Sequence, residues 1–274
     1  MRITRLQLRR LIQEAILSEV DIEDVSDICY APGSTHVMNT CRIGGDKYFL
    51  KFSKEDLFDG FDPSLQVLIE YLAYRIYGLY AGVRIPRVEL VYDRSRKRVG
   101  LATTPAKGKQ ALAVGTGPEV IGKTMSQGIY VDIFLANWDA VGTGSGNVFV
   151  DPEEGATRID PGGSLTFRAQ GGRKGKAFSR TAGELETMLR TEKGAGYYFK
   201  HSDLQVAATE FLRVDWPQIN ATIARVGEEV STELERKGMS ELLDQWNADV
   251  EEIRSILDTR YSKVSDHAEY ALDQ

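Results

Sequence analysis

Apolar residues fall into two rhythms along the chain, alternation in the first third and helical spacing in the last. The opening RITRLQLRRLIQEAILSEV sets Ile3, Leu6, Leu11, Ile12, Ala15 and Ile16 at helical spacing and predicts an amphipathic helix over 1–20. Its head is basic, with Arg2, Arg5, Arg9 and Arg10. From residue 28 the texture changes: ICYAPGSTHVMNTCRI and KYFLKF read as strands around Gly-Gly-Asp, a hairpin signal because glycine accepts positive φ. A helix is predicted over about 63–81, with Leu65, Leu68, Ile69, Leu72, Ile76 and Leu79 as its apolar stripe and Pro63 near its start. GVRIPRVELVYD and RVGLATTPA give two more strands.

GIYVDIFLANW has helix length, and after it NVFV and TRID read as short strands joined by the turn DPEEGA. Past residue 180 glycine thins out, and periodic segments near 182–191, 203–212, 217–236, 239–258 and 264–272 predict helices. Strands with one helix, then helices, make an α+β chain in two lobes. The boundaries expected are a β-rich lobe over 21–106 and a mainly helical lobe over 107–274.

Composition narrows the class. Hydrophobic residues at 42% and charged residues at 27% describe an ordinary globular chain, and a net charge of −6 argues against a general nucleic-acid surface. Cys29 and Cys41 are too few for a disulfide framework and lack zinc-site spacing, which fits a reducing, cytoplasmic setting. Neither a membrane-length apolar run nor a secretory signal is legible. His36, His201 and His267 are scattered, so hydrolase and zinc chemistry rank low. Trp138, Trp216 and Trp246 are expected to serve packing.

A handful of polar residues stand where neither core nor surface would place them. PGSTHV, with Gly33, Ser34 and Thr35, offers backbone N–H groups of the kind that cradle phosphates. Lys51 ends the apolar strand KYFLK, and Glu70 lies on the next helix among Leu68, Ile69 and Leu72; each charge explains the other, because burying either alone is expensive. Asp139 follows an apolar helix, placed to accept a proton from an attacking hydroxyl, and Asn147 and Asp160 offer oxygen ligands for magnesium. These are the parts that phosphoryl transfer from ATP requires.

YFLKF, the glutamate-bearing helix, NWD…GN.FV and RIDPGGSL together resemble the atypical kinase superfamily of the phosphoinositide 3- and 4-kinases, the actin-fragmin kinase and the HipA-like kinases. The resemblance covers roughly residues 28–180 and implies a protein-kinase-like fold. It implies that Lys51 contacts the ATP phosphates, Glu70 orients it, Asp139 is the catalytic aspartate, and Asn147 and Asp160 hold magnesium. ATTPAKGK, with Thr103 and Thr104, would lie near the interlobe hinge that receives adenine. Two features depart from the pattern: Asp139 and Asn147 stand eight residues apart instead of five, and Asp160 is followed by Pro-Gly-Gly.

The activity expected is ATP- and magnesium-dependent phosphorylation of a protein serine or threonine. A lipid kinase, a pseudokinase acting as a nucleotide-binding scaffold, and an AMP transferase are the alternatives. Arg168, Arg173, Lys174 and Lys176 form a basic loop suited to an acidic or phosphorylated substrate, and membrane contact is expected only through that loop or the N-terminal helix.

Overall fold

The computed structural model describes residues 36–43, 46–53, 61–93, 97–111, 113–142, 146–169, 171–191 and 195–274. The helix expected over 1–20 and the loop with Gly33, Ser34 and Thr35 lie outside the described residues. Strands β1 (His36–Ile43) and β2 (Asp46–Ser53) form the antiparallel hairpin predicted around Gly-Gly-Asp, with Ile43 opposite Asp46. With β3 (Val88–Asp93) and β4 (Arg98–Thr103) they make a sheet ordered β1-β2-β4-β3.

Alternation along β2 gives its two faces different work. Tyr48, Leu50 and Phe52 join Val91 and Ala102 in a small apolar cluster, while Lys51, opposite Leu101, faces the other way onto helix α1 (Ser64–Tyr77). In α1 every residue except Arg75 is buried, so the helix is enclosed all round and not only along the single stripe read from sequence. The helix is covered by the sheet on one side and by the C-terminal helices on the other. Leu79, read as the end of the stripe, lies beyond the helix end, where it is half-buried.

A second sheet, ordered β5-β6-β7, joins β5 (Lys109–Gln110), β6 (Val148–Asp151) and β7 (Gly155–Arg158). Helices α2 (Pro118–Met125) and α3 (Ile129–Phe134) separate its first two strands. The sequence pattern missed β5 and α2: two residues cannot show alternation, and Gly122 interrupts the helical signal of PEVIGKTM. Gly122 is needed because a Cβ there would stand 2.4 Å from the carbonyl oxygen of Tyr198. GIYVDIFLANW, read as one helix, is helical only over the six residues of α3 before it turns.

Among the described residues the α-helices that follow are α4 (Glu184–Arg190), α5 (Gly196–Phe199), α6 (Leu204–Phe211), α7 (Trp216–Arg236) and α8 (Ser240–Leu272). The segments expected at 239–258 and 264–272 are one helix of 33 residues. Arg260 hides the continuity: it is polar in type but fully buried, and it fills the apolar face between Leu257 and Val264. One hydrophobic core runs from α1 to α8. Among the tryptophans Trp246 is buried and Trp216 half-buried, but Trp138 is 42% exposed, against the packing role expected of it. Among the described residues no helix is long and apolar enough to cross a membrane.

A buried ion pair fastens the middle of the chain. Arg158 on β7 donates through Nη2 to Asp132 Oδ2 (3.0 Å) and to the Met125 carbonyl (2.7 Å), and Tyr77 donates to Asp132 Oδ1 (2.7 Å). Asn137 extends the network by donating to the Tyr77 hydroxyl at 3.0 Å. Breaking such a pair leaves a buried charge uncompensated. Asp132→Ala is therefore expected to destabilise the fold by about 3–5 kcal/mol, read as a shift in the urea unfolding midpoint.

Candidate functional site

Lys51 and Glu70 meet because β2 and α1 pack face to face. The ammonium donates to Glu70 Oε2 at 2.7 Å and to Asp160 Oδ1 at 2.5 Å. Burial alone would push the Lys51 ammonium down, but Asp160 and Glu70 more than offset this and hold it above its ordinary value. Burial also pushes the Glu70 carboxyl up to about 7, with Lys51 pulling the other way. The cation is thus fixed between one enclosed carboxylate and one whose side chain is 47% exposed, Asp160, able to reach a ligand.

Asp160 follows β7 in the left-handed backbone region (φ 52°, ψ 60°), which aspartate tolerates better than most residues. Its backbone N–H donates to the Tyr74 hydroxyl at 2.9 Å. Tyr74 stands one turn after Glu70, so α1 holds both the lysine and the aspartate of the site. Next comes the turn Pro161–Gly163. A Cβ on Gly162 would lie 2.9 Å from Glu70 Oε2 and 3.2 Å from both Asp160 Oδ1 and Lys51 Nζ. Gly162→Ala is expected to spread these three groups, so that a ligand held jointly by them binds about tenfold more weakly, as calorimetric titration with ATP and magnesium would read.

Asp139 sits, half-buried, in the turn after α3. The Asn147 side-chain amide donates to Asp139 Oδ2 at 3.1 Å and to its backbone carbonyl at 2.9 Å, so eight residues of separation do not part the two side chains. The chain closes on itself instead: the Asn147 N–H donates to the Val141 carbonyl at 3.0 Å, and Gly142 takes a φ of 73° beside it. A Cβ on Gly142 would stand 2.6 Å from Asn147 Cγ. At the far end of the β6–β7 hairpin the Ile159 N–H donates to the Asn147 carbonyl at 3.0 Å, which brings Asn147 beside Asp160. Burial raises the Asp139 carboxyl above the ordinary value and Asp160 adds to the rise, while Asn147 and Lys51 pull it down.

Thr103 lies opposite Phe49 and, by alternation, on the Lys51 face of the sheet. Thr104 does not turn to the site: its N–H donates to the Arg87 carbonyl and its hydroxyl accepts from the Arg87 N–H, both at 3.0 Å. Beside Asp139 opens a cleft of about 580 Å³ whose lining includes Trp138, Gly163, Arg168, Lys174, Lys176 and Glu184. The basic loop is less free than its sequence suggests. Arg173 forks onto Asp249, with Nη2 2.8 Å from Oδ1 and Nη1 on Oδ2, and lies over the Phe61 and Phe167 rings.

Among the described residues no group of three or more His, Cys, Asp or Glu could enclose a metal ion. Two oxygen donors, the Asn147 amide and the Asp160 carboxylate, suit magnesium, which keeps several waters and takes its remaining ligands from phosphates. With the Asn147 amide nitrogen committed to Asp139, its Oδ1 is the atom left to coordinate.

A small antiparallel sheet with one buried helix, a mainly helical remainder, and a lysine–glutamate pair facing an aspartate beyond a second hairpin make the fold kinase-like. Among solved structures the chain is similar to the crystal structure of the proinflammatory kinase CtkA of Helicobacter pylori, with a TM-score of 0.59 over 93% of this chain and 98% of that one. Identity is 13%, so the likeness is one of fold. No protein-family profile matches the chain, and no curated protein matches it by sequence.

Sequence reasoning passed over Tyr74, Gly162 and the separate fates of Arg173 and Lys174. Tyr74 had a signal, its place four residues after Glu70, and Gly162 had another in Pro-Gly-Gly. Nothing in the sequence distinguishes Arg173 from Lys174, because their partners lie far along the chain.

Proposed function

We propose that this protein is an ATP- and magnesium-dependent phosphotransferase that phosphorylates a serine or threonine hydroxyl of a protein carrying acidic or phosphorylated residues, in the cytoplasm. One observation carries the reading: Lys51, paired with Glu70, and Asp139, bonded to Asn147, converge on Asp160 from separate elements. A purely structural ion pair would account for Lys51 and Glu70, but not for a half-exposed aspartate held in left-handed backbone between them and a second carboxylate.

In this reading Lys51 binds the ATP phosphates and Glu70 keeps its ammonium pointed at them. Asn147 and Asp160 would hold magnesium, which would supply positive charge to offset that of the phosphates. Asp139 orients the acceptor hydroxyl and takes its proton as the oxygen bonds to the γ-phosphorus and ADP leaves. Thr103 lines the adenine side. Gly33, Ser34 and Thr35 supply the phosphate-covering loop.

The eight-residue spacing that motivates a pseudokinase does not separate Asp139 from Asn147, which favours an active enzyme. Arg173, committed to Asp249, leaves a smaller basic surface for a lipid headgroup. Incubation with ATP and magnesium, a mixture of acidic proteins and phosphoinositide vesicles, followed by intact-mass analysis, tests the proposal. A phosphate adduct on protein is expected. An AMP adduct, or phosphate on lipid alone, would replace the reading by one of its alternatives.

A further inference from the structure

Neighbouring cations on the segment after Asp160 are treated differently by the fold. Arg173 has a carboxylate and two aromatic faces. Lys174 is more enclosed, 7% exposed, yet among the described residues no carboxylate pairs with it. Its Nζ donates to one acceptor, the Ala136 carbonyl at 2.6 Å, although an ammonium carries three donors. Glu184, whose charge acts on Lys174, is already engaged: Oε2 takes Arg260 Nη2 at 2.9 Å and Oε1 takes Trp138 Nε1 at 3.3 Å.

Lys174 lines the same cleft as Asp139, with the exposed Arg168 and Lys176 also in the lining. Burying a charge without a counter-charge is costly, and the cost is ordinarily avoided or offset. Here the position of the lysine, in the wall of an open cleft, lets a ligand supply what the fold withholds.

The geometry points to Lys174 as the floor of an anion subsite in the acceptor cleft, which takes a carboxylate or phosphate group of the substrate and so selects a hydroxyl flanked by negative charge. The inference rests on the reading of Asp139 as the residue that meets that hydroxyl. Ala136, which holds the ammonium, lies three residues before Asp139, so the subsite and the catalytic turn are parts of one piece of backbone. Arg168 and Lys176 steer the anion inward.

Burial lowers the Lys174 ammonium to about 7; Glu184 on α4 pulls it up, and Arg260 on α8 and Arg168 push it further down. The folded value lies below the unfolded one, so the lysine destabilises the fold below about 7 and the penalty is relieved as pH rises towards the ordinary lysine range. A bound anion reverses this by favouring the charged form. Anion affinity is therefore expected to fall as pH rises through about 7.

The test uses the full chain with magnesium, a non-hydrolysable ATP analogue and three fluorescent peptides that share a central serine and carry phosphoserine, glutamate or glutamine beside it. Fluorescence polarisation is expected to show the charged peptides binding about tenfold tighter than the glutamine peptide near pH 6, with a smaller advantage near pH 8. The phosphoserine and glutamate arms identify which anion is preferred. Lys174→Met is expected to erase the discrimination while raising the melting temperature near pH 6, and Lys174→Arg to keep part of it. Undiminished discrimination in Lys174→Met, or none in the wild type, would overturn the subsite. Phosphate transfer with ATP is measured in parallel: transfer without discrimination removes the subsite alone, and discrimination without transfer removes the phosphotransferase reading alone.

Discussion

Alanine at Asp139 is expected to slow phosphoryl transfer by about 10²- to 10⁴-fold, the range a positioned general base contributes, while ATP and magnesium still bind. The separation follows from geometry. Lys51 donates to both Glu70 and Asp160 without Asp139, and Asp139 touches the site through Asn147 and lines the neighbouring cleft. Its raised carboxyl, a product of burial first and Asp160 second, makes it a better proton acceptor than an exposed aspartate. Rates under saturating ATP, with nucleotide affinity by calorimetry on the same preparations, check both halves. Loss of affinity as large as the loss of rate would move Asp139 from the acceptor to the nucleotide.

Lys51→Met is expected to have a double effect, because one ammonium serves two carboxylates. Removing it leaves Glu70 buried with no cation, at a cost of about 3–5 kcal/mol, and also removes the charge proposed to meet the phosphates. A second change separates the two consequences. Lys51→Met combined with Glu70→Gln is expected to regain most of the stability, measured by urea unfolding, and none of the nucleotide affinity. Recovery of both would show that Lys51 matters only as a structural partner.

What was legible in the sequence was what local rules determine. Gly-Gly-Asp placed the β1–β2 hairpin, apolar spacing placed α1, and a glutamate among its leucines pointed to a buried cation. NVFV was readable as a strand because the turn after it carries its own signal, whereas TRID starts two residues late, since β7 is Gly155–Arg158. What was not legible depends on partners distant in sequence. Arg260 reads as a break in α8, yet inside the fold it donates to the Phe134 and Ile133 carbonyls and to Glu184, tying the C-terminal helix to the end of α3. Gly122 weakens a helix in isolation but is required where Tyr198 passes. Arg173 and Lys174 look alike until Asp249 takes only one of them.

The spacing of Asp139 and Asn147 shows the limit of counting residues. Eight positions suggest a stretched loop, but the Asn147 N–H closes onto Val141 and a left-handed Gly142 makes room, so the side chains still touch. The number of residues in a loop sets the entropy of closing it, and this changes slowly with length. Where the ends meet is set by the scaffold, here the turn after α3 and the start of β6.

A crystal structure of the chain with magnesium and a non-hydrolysable ATP analogue tests the central claim most directly. The account predicts the metal about 2.0–2.1 Å from Asn147 Oδ1 and an Asp160 oxygen, Lys51 Nζ on the phosphates with Glu70 still bonded to it, and the γ-phosphate facing Asp139. Nucleotide bound elsewhere, or bound here with its α-phosphate in place of the γ-phosphate facing Asp139, would contradict it.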